Sequence, residues 1–195
     1  MINSIAFIGL GSIGLPIAAN LLAGGFNLKV HTRSRKNESH NTLLGSKTFS
    51  NIAQTVNDSQ VIMICVSDDL AVESVLFGKE GAFSSLHKDS IVIDLSTISP
   101  SKARSIAERL NKKGVIYVDA PVTGGTEGAK NATLTIFLGC EEKILNLISP
   151  VLNKIASNIY CFGEVGKGQE VKAINQILVA GTYAAVAEAI ALGQS

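Results

Sequence analysis

Several residue types are scarce in this chain of 195 residues, and the low charge and the few cysteines argue against particular partners and sites. There is no tryptophan, and charged residues make up only 17% of the sequence, with a formal net charge of +1. This balance gives no electrostatic reason to expect nucleic acid or an acidic membrane surface as a partner. The three cysteines, Cys65, Cys140 and Cys161, are odd in number and widely spaced, which fits neither a disulfide framework nor a zinc site. We expect buried, reduced thiols and no metal site.

The sequence also lacks a basic segment followed by an apolar run at its start. Residues 1–8 already read as a strand and a glycine-rich turn follows, so we expect no secretory signal and a cytoplasmic protein. In contrast, hydrophobic residues make up 46% of the chain and the mean hydropathy is +0.31. A chain of this length can bury a substantial core as one domain, or as one domain with a piece of another.

The most informative segment runs from Ser4 to Gly14, where a short apolar strand leads into Gly-x-Gly-x-x-Gly and a helix is predicted over residues 15–22. In such a turn the first glycine allows the chain to reverse and the second lets a pyrophosphate approach the backbone. The third lets helix and strand pack closely. The helix N-terminus offers free N–H groups and a partial positive charge to the phosphates. We therefore predict a dinucleotide site formed by Gly9, Leu10, Gly11, Ser12, Ile13 and Gly14.

Strand and helix patterns alternate along the rest of the chain. Strands are predicted over residues 27–32, 61–66, 91–95, 115–119, 133–138 and 158–161, and helices over 51–56, 70–76, 100–113 and 141–155. Continuous apolar runs such as 61–66 are typical of parallel strands buried on both faces. The alternation predicts an α/β fold, a Rossmann-type doubly wound, mostly parallel sheet followed by one long C-terminal α-helix.

This long helix is predicted over residues 168–193, is rich in alanine and is apolar on most of its faces. Asn175, Gln176 and Glu188 interrupt the apolar surface, which argues against a membrane span. We place a domain boundary in front of the helix, with a dinucleotide-binding domain over residues 1–165 and the helical segment over 166–195.

The residues after the second strand bear on which dinucleotide binds. An NAD-selective site usually has an acid about twenty residues beyond the glycines, where it accepts a hydrogen bond from the ribose 2′-hydroxyl. No acid occurs between Lys29 and Lys36, whereas two arginines do. Guanidinium groups can bind a 2′-phosphate with paired hydrogen bonds. We predict that NADP(H) is preferred and that NAD(H) can also be used, with Arg33 as the main contact, assisted by Thr32 and Ser34. The alternative is a merely solvated basic loop.

A Gly-Gly turn in the second half of the chain is a candidate substrate site. Residues 119–126 follow a predicted strand and contain Gly124 and Gly125 beside the hydroxyl of Thr123. Backbone N–H groups freed at such a turn can bind a carboxylate. Taken alone, the same residues can equally form an ordinary turn.

The start of the long helix holds a polar face. Lys172 and Asn175 are three residues apart and share this face, which Gln169 and Gln176 extend. Burial among apolar neighbours would lower the pKa of Lys172 toward a value useful for proton transfer. The alternative is a solvated lysine, which is the more common state on a helix.

Four segments together resemble the β-hydroxyacid dehydrogenase family, which includes 3-hydroxyisobutyrate dehydrogenases and tartronate semialdehyde reductases. Residues 7–16 are similar to the cofactor signature of the family, 94–100 to its loop near the nicotinamide, 119–125 to its substrate-binding motif and 166–176 to its catalytic motif. Thr123 stands where the family usually has serine, and Gln176 where many relatives have asparagine.

The resemblance implies an NADP(H)-dependent oxidoreductase that transfers hydride between the nicotinamide and a small 3-hydroxy acid or its semialdehyde. It implies Lys172 as general acid/base and Asn175 as a substrate ligand, with Gln176 beside them. The carboxylate of the substrate would lie on Thr123, Gly124 and Gly125. Further implied cofactor contacts are Val66, Ser67 and Asp68 on the adenosine side, and Ser96 and Thr97 at the carboxamide. Asp119 is expected to be structural, and His31, His40 and His87, which are expected to have no neighbouring acid or nucleophile, are assigned no role.

Members of this family continue past the long helix into an all-helical domain that closes over the active site and often forms the dimer. The resemblance therefore implies that residues 166–195 are the first helix of a truncated C-terminal all-α domain. Small residues along this helix suit close packing, and we expect a homodimer through it. The alternative to an enzyme is a non-catalytic, self-associating NADP(H)-binding module or an inactive truncated fragment of such an enzyme.

Overall fold

The computed structural model describes residues 2–194 and contains two β-sheets. The larger sheet has six parallel strands in the order β3-β2-β1-β4-β5-β6. This order reverses between β1 and β4, as in dinucleotide-binding α/β folds, and confirms the predicted doubly wound sheet. The strands are β1 (Ser4–Ile8), β2 (Asn27–His31), β3 (Lys47–Thr48), β4 (Val61–Ile64), β5 (Ile91–Asp94) and β6 (Ile116–Asp119).

The smaller sheet consists of β7 (Val122–Thr123), β8 (Leu134–Leu138) and β9 (Ala156–Cys161). β7 runs antiparallel to β8, and β8 runs parallel to β9. The predicted strands over 133–138 and 158–161 therefore exist, but they pair with each other and do not extend the parallel sheet. An isolated antiparallel bridge between Asp119 and Gly139 connects the two sheets.

Seven α-helices are described within residues 2–194: α1 (Gly14–Ala23), α2 (Ile52–Val56), α3 (Asp69–Phe77), α4 (Pro100–Asn111), α5 (Gly125–Lys130), α6 (Glu142–Leu152) and α7 (Lys167–Gly193). The Asp68 carboxylate caps α3 by accepting from the Ala71 N–H at 2.8 Å, and Ser99 caps α4 directly before a proline at its first position. The Asn51 side chain caps α2 by accepting from the Gln54 N–H. The pattern did not indicate α5, because its six residues include two glycines and read as a turn.

The central strands of the parallel sheet, β1, β4 and β5, are buried on both faces, which explains the apolar runs in the sequence. Along β1, Ile5 and Phe7 pack into the cluster that contains α1 and α6, whereas Ala6 and Ile8 pack into the cluster that contains α3 and α4. All four side chains are at most 2% exposed. Burial of a large aliphatic or aromatic side chain contributes roughly 1.5–3 kcal/mol, so these two layers supply the main driving force for folding.

Two of the three cysteines come together at the end of the smaller sheet. Cys161 lies at the end of β9, and its Sγ is 3.9 Å from the Sγ of Cys140, which follows β8. The expectation of three buried thiols is wrong for Cys161, which is exposed, whereas Cys140 is buried and Cys65 is partly buried. The parallel pairing of β8 with β9 produces this proximity, and sequence spacing could not indicate it.

The long helix α7 is attached to the body by its first turns. Asp119, at the end of β6, is fully buried, and its two carboxylate oxygens accept from the Gly166 N–H at 2.8 Å and the Gln169 N–H at 2.9 Å. A carboxylate at this position satisfies N–H groups that a helix N-terminus leaves free and interacts favourably with the helix dipole. Asp119 therefore has the structural role expected from the sequence.

Beyond Lys172 most of α7 is exposed, including large apolar side chains such as Ile177 and Leu178. An 18-residue window of the helix has a mean hydropathy of 1.4, and none of this window is buried inside the protein. Length and composition alone would therefore allow the helix to cross a membrane. The predicted domain boundary between residues 165 and 166 coincides with the start of α7 and stays a prediction.

The attachment of α7 leads to a stability prediction. We expect Asp119→Ala to lower the free energy of unfolding by about 2–4 kcal/mol, because two buried N–H groups lose their acceptors and a cavity forms. Urea denaturation followed by circular dichroism measures the loss. The matched control is Glu170→Gln on the same helix, where an exposed carboxylate with surface ion pairs is replaced and little change is expected. Equal stability of D119A and wild type would contradict the capping role.

Candidate active site

The carboxyl ends of β1, β4 and β5 meet at one edge of the parallel sheet, next to the point where the strand order reverses. The backbone ladder continues past the strands, since the Cys65 N–H donates to Ile8 and the Leu95 N–H donates to Ile64. The loops after these strands therefore start side by side. In open α/β sheets this crevice is where ligands bind.

The glycine-rich turn has the geometry that a phosphate site requires. Gly9 has a φ of +102°, and a Cβ there would overlap the carbonyl group of Cys65. A Cβ at Gly14 would overlap the carbonyl oxygen of Gly9, so α1 can begin this close to β1 only without a side chain. At Gly11, in contrast, a Cβ would meet no atom within 4 Å, which leaves the backbone open to a ligand.

No side chain caps the N-terminus of α1, and its first turn contains no acid. Ser12 is exposed and Ile13 is half-buried at this end, whereas the Leu10 side chain is buried, so only the backbone of Leu10 can face a ligand. A helix N-terminus that has neither a side-chain cap nor an acid in its first turn can bind an anion. The residues of this turn therefore fit the pyrophosphate of a dinucleotide.

The tip of β2 holds the residues predicted to select the dinucleotide. Arg33 and Ser34 are exposed and Thr32 is half-buried. The pKa of the Asp68 carboxyl is held below its usual range by the Ser67 hydroxyl and the Ala71 N–H. The positive charge of Arg33 lowers this pKa more weakly, so Arg33 lies close to Asp68. The tip of β2 and the start of α3 are thus neighbours, and the side chains available for an adenosine ribose include both a cation and an acid.

Sequence reasoning missed an acid at this tip. Glu38 is only 8% exposed, and its carboxylate accepts from the Thr32 N–H at 2.8 Å. It also forms an ion pair of 3.0 Å with Arg35, and His31 lies 3.7 Å away, so the expectation that no acid is near His31 is wrong. The three-residue spacing of Arg35 and Glu38 was the available signal.

Arg35 is structural, because its guanidinium group donates to the carbonyl oxygens of Phe49 and Ser50 and pairs with Glu38. Of the two arginines in this segment, only Arg33 is therefore free of such internal bonds to a neighbouring carbonyl or carboxylate in the part of the chain that the structure describes. The Asn37 side chain donates to the carbonyl oxygen of Leu10 at 2.7 Å and connects this loop to the glycine-rich turn.

The loop after β5 is held by polar contacts in which Ser96 is central. Ser96 is 2% exposed, and its hydroxyl accepts from the Val66 N–H at 3.0 Å. Its own N–H donates to Asp94, and its carbonyl accepts from the Gln169 side chain at 2.8 Å. Ser96 therefore supports the loop, whereas Thr97 is exposed and is the residue of this pair that can meet a ligand.

Gln169 was expected to extend the polar face of α7, and in the structure it is buried and connects α7 to the β5 loop. Its Oε1 accepts from the Ile98 N–H at 3.1 Å while its Nε2 donates to Ser96. Asp94, the last residue of β5, is also fully buried, and its carboxylate accepts from the Tyr117 hydroxyl at 2.9 Å. Burial raises the pKa of Asp94 to about 6, and burial likewise raises the pKa of Asp119.

The candidate substrate site predicted at Thr123, Gly124 and Gly125 lies at the start of α5. Gly124 and Gly125 have φ values of +124° and +62° and are exposed, and Thr123 ends β7 beside them. No side chain caps α5, and a Cβ at Gly125 would meet nothing within 4 Å. The Asn20 side chain of α1 donates to the Ala129 carbonyl at 2.8 Å, which connects this helix to the one behind the glycine-rich turn.

Lys172, Asn175 and Gln176 differ in their environments. Lys172 is 6% exposed, and burial lowers the pKa of its amine. It lies one helical turn beyond Gln169 on the same face, so it belongs to the side of α7 that is attached to the β5 loop. The Asn175 Oδ1 is buried without a hydrogen-bond partner among residues 2–194, and Gln176 is exposed. No cluster in the described range could hold a metal ion.

The fold and these motifs have counterparts among known proteins. The family profile for the NAD binding domain of 6-phosphogluconate dehydrogenase matches residues 4–163. The 2-(hydroxymethyl)glutarate dehydrogenase of Eubacterium barkeri is 36% identical over 97% of this chain and 63% of its own length. The 2-hydroxy-3-oxopropionate reductase of Escherichia coli K12 is 37% identical over 95% of this chain and 63% of its own length.

Among solved structures, the Mycobacterium tuberculosis 3-hydroxyisobutyrate dehydrogenase with L-serine has a TM-score of 0.91 and is 30% identical. The match covers 100% of this chain and 66% of that chain. This chain thus spans 63% of the length of the two curated relatives.

Proposed function

We propose a function from the premise that this chain belongs to the β-hydroxyacid dehydrogenase family and contains its NAD-binding domain. It acts as an NADP(H)-dependent oxidoreductase on a small 3-hydroxy acid or the corresponding semialdehyde. The observation that carries this proposal is the buried amine of Lys172, whose pKa is lowered by burial, on a helix attached to the nucleotide-binding edge of the sheet.

The residues present fit a nicotinamide dinucleotide, which when bound supplies or accepts the hydride. The open backbone at Gly11 and the uncapped start of α1 hold the pyrophosphate. Arg33, with Thr32 and Ser34, contacts the adenosine ribose and its phosphate, and Val66, Ser67 and Asp68 line the adenosine side. Thr97 meets the carboxamide, while Ser96 positions the loop through its buried hydrogen bonds.

The substrate is a small carboxylic acid, as the names of the relatives suggest. Its carboxylate binds at the Gly124–Gly125 turn with the Thr123 hydroxyl. Lys172 accepts the hydroxyl proton during oxidation and returns it to the carbonyl oxygen during reduction. Asn175 orients the substrate hydroxyl, which its buried Oδ1, without a partner in the described protein, is free to accept from, and Gln176 is next to it in sequence.

NAD(H) is a second cofactor candidate, because Glu38 and Asp68 place carboxylates at the tip of β2. Glu38 is already paired with Thr32 and Arg35, however, so it offers little to a ribose hydroxyl. Arg33 is exposed and is the better contact for a 2′-phosphate.

The proposed role of Lys172 is tested by replacing it with methionine, which has a similar length but no amine. We expect kcat with NADPH and a panel of small semialdehydes to fall by about 10²–10⁴-fold while nucleotide affinity is kept. Because burial lowers the pKa of Lys172, oxidation should accelerate with pH through a pKa below the ordinary lysine value, and K172M should lose that dependence.

The matched control is Lys167→Met on the same helix, which removes an exposed lysine with a surface ion pair and should keep turnover. Nucleotide binding without any turnover that depends on Lys172 would contradict the enzyme and support the non-catalytic binding module instead.

Cofactor choice is tested at Arg33. We expect Arg33→Ala to weaken NADPH at least about tenfold more than NADH, because only NADPH carries the 2′-phosphate that the guanidinium group binds. Fluorescence titration with both nucleotides measures the difference, and Lys36→Ala, at an exposed lysine of the same loop, serves as control. An equal loss for both nucleotides would refute the assignment.

Self-association follows from the exposed apolar side chains of α7. We propose that a second copy of the chain covers them, and that Ile177→Glu, at a position 72% exposed, separates the two copies. Size-exclusion chromatography with light scattering should report a dimer for the wild type and a monomer for I177E. A wild-type monomer at micromolar concentration, or binding of α7 to lipid vesicles, would contradict this proposal. The cytoplasmic location stays a prediction.

A further inference from the structure

The neighbouring thiols of Cys140 and Cys161 have no part in the proposed oxidoreductase. Cys140 follows the C-terminal end of β8, and Cys161 is the last residue of β9. The two are 21 positions apart in sequence, and their sulfur atoms are 3.9 Å from each other. A disulfide bond is about 2 Å long, so a small side-chain rotation would bring the two atoms to bonding distance.

The backbone holds the two cysteines together from both sides. Leu138 pairs with Cys161 in the parallel ladder, and the Phe162 N–H donates to the Leu138 carbonyl at 2.8 Å. An isolated bridge also joins Cys140 to Gly163. The thiols are therefore neighbours because of the sheet itself and do not depend on a flexible loop.

The two thiols differ in access to solvent. Cys161 is exposed, and its thiol donates to the Cys140 carbonyl at 3.1 Å. Cys140 is only 4% exposed, and burial, followed by the neighbouring Cys161, raises the pKa of its thiol to about 12. A small oxidant in solution can therefore reach Cys161 first, whereas Cys140 is protected from direct attack.

We propose that Cys140 and Cys161 form a redox-active pair that a hydroperoxide converts to an intramolecular disulfide, with Cys161 as the attacking thiol and Cys140 as the resolving thiol. No role in hydride transfer is required for this pair, so the proposal stands independently of the function proposed above.

The chemistry proceeds in two steps that balance. The Cys161 sulfur attacks one peroxide oxygen, the O–O bond breaks, an alcohol or water leaves, and Cys161 becomes a sulfenic acid. The Cys140 sulfur then attacks the Cys161 sulfur, the S–O bond breaks, and the hydroxide leaves as water with the proton of the Cys140 thiol. Two thiols lose two electrons in total, and the hydroperoxide accepts them.

Mass spectrometry tests the proposal directly. The reduced, folded protein is treated with hydrogen peroxide, unfolded in the presence of iodoacetamide and digested with trypsin without reductant. We expect residues 131–143 and 155–167 to appear as one cross-linked species, because lysines separate the two cysteines. Cys65, in the peptide of residues 48–79, should remain alkylated, and dithiothreitol should release the cross-link.

Single variants distinguish the two roles. With Cys140→Ser, dimedone should trap a sulfenic acid at Cys161 that does not accumulate in the wild type. With Cys161→Ser, Cys140 should stay alkylatable at the same peroxide dose, and Cys65→Ser should leave the cross-link unchanged. Circular dichroism of each variant verifies that it is folded.

Three results would overturn the proposal. The first is that both thiols remain alkylatable under conditions that oxidise free glutathione in the same tube. The second is a Cys161 disulfide between two molecules in place of the internal one. The third is conversion of wild-type Cys161 to sulfinic acid while Cys140 stays reduced.

Discussion

The buried carboxylate of Asp119 is the interaction on which the arrangement of this molecule depends. It ends the last strand of the parallel sheet, its backbone bridges to Gly139 directly after β8, and its two oxygens accept from N–H groups at the start of α7. A fully buried carboxylate is costly unless it is hydrogen-bonded, and burial raises the pKa of this one. The cost is offset because the helix N-terminus needs an acceptor at this point. One residue, through its backbone and its side chain, thus joins both sheets to the helix that carries Lys172.

A second set of contacts orients that helix relative to the nucleotide-binding edge. The Gln169 side chain bonds to Ser96 and Ile98, and the Ser96 hydroxyl accepts from Val66, so α7 is connected in turn to the loops after β5 and β4. Ser96, which was predicted to contact the cofactor, and Gln169, which was predicted to extend a polar face, both support the fold as buried hydrogen-bonding residues. Their burial gives the edge a defined shape, which suits the proposed site, where a nucleotide and the Lys172 amine would have to be positioned.

Local patterns in the sequence predicted their own neighbourhoods well. The glycine-rich turn, the parallel strands and the long helix were all recognisable, since each depends on residues that are neighbours in the chain. Glu38 and α5 were missed for different reasons. Glu38 bonds back to the end of β2 from a turn in which the only local signal was its spacing from Arg35, and α5 is too short and glycine-rich to show a helical period.

The sequence by itself determined that an apolar parallel sheet forms and that a glycine-rich turn opens onto a helix, because strand and helix periodicity and glycine's lack of a Cβ are properties of neighbouring residues. Only the tertiary structure decided that Asp119 caps α7, that Gln169 is buried, and that Cys161 meets Cys140. These contacts join segments 21 to 73 positions apart. Chain topology and strand register bring such segments together, and no short stretch of sequence encodes either one.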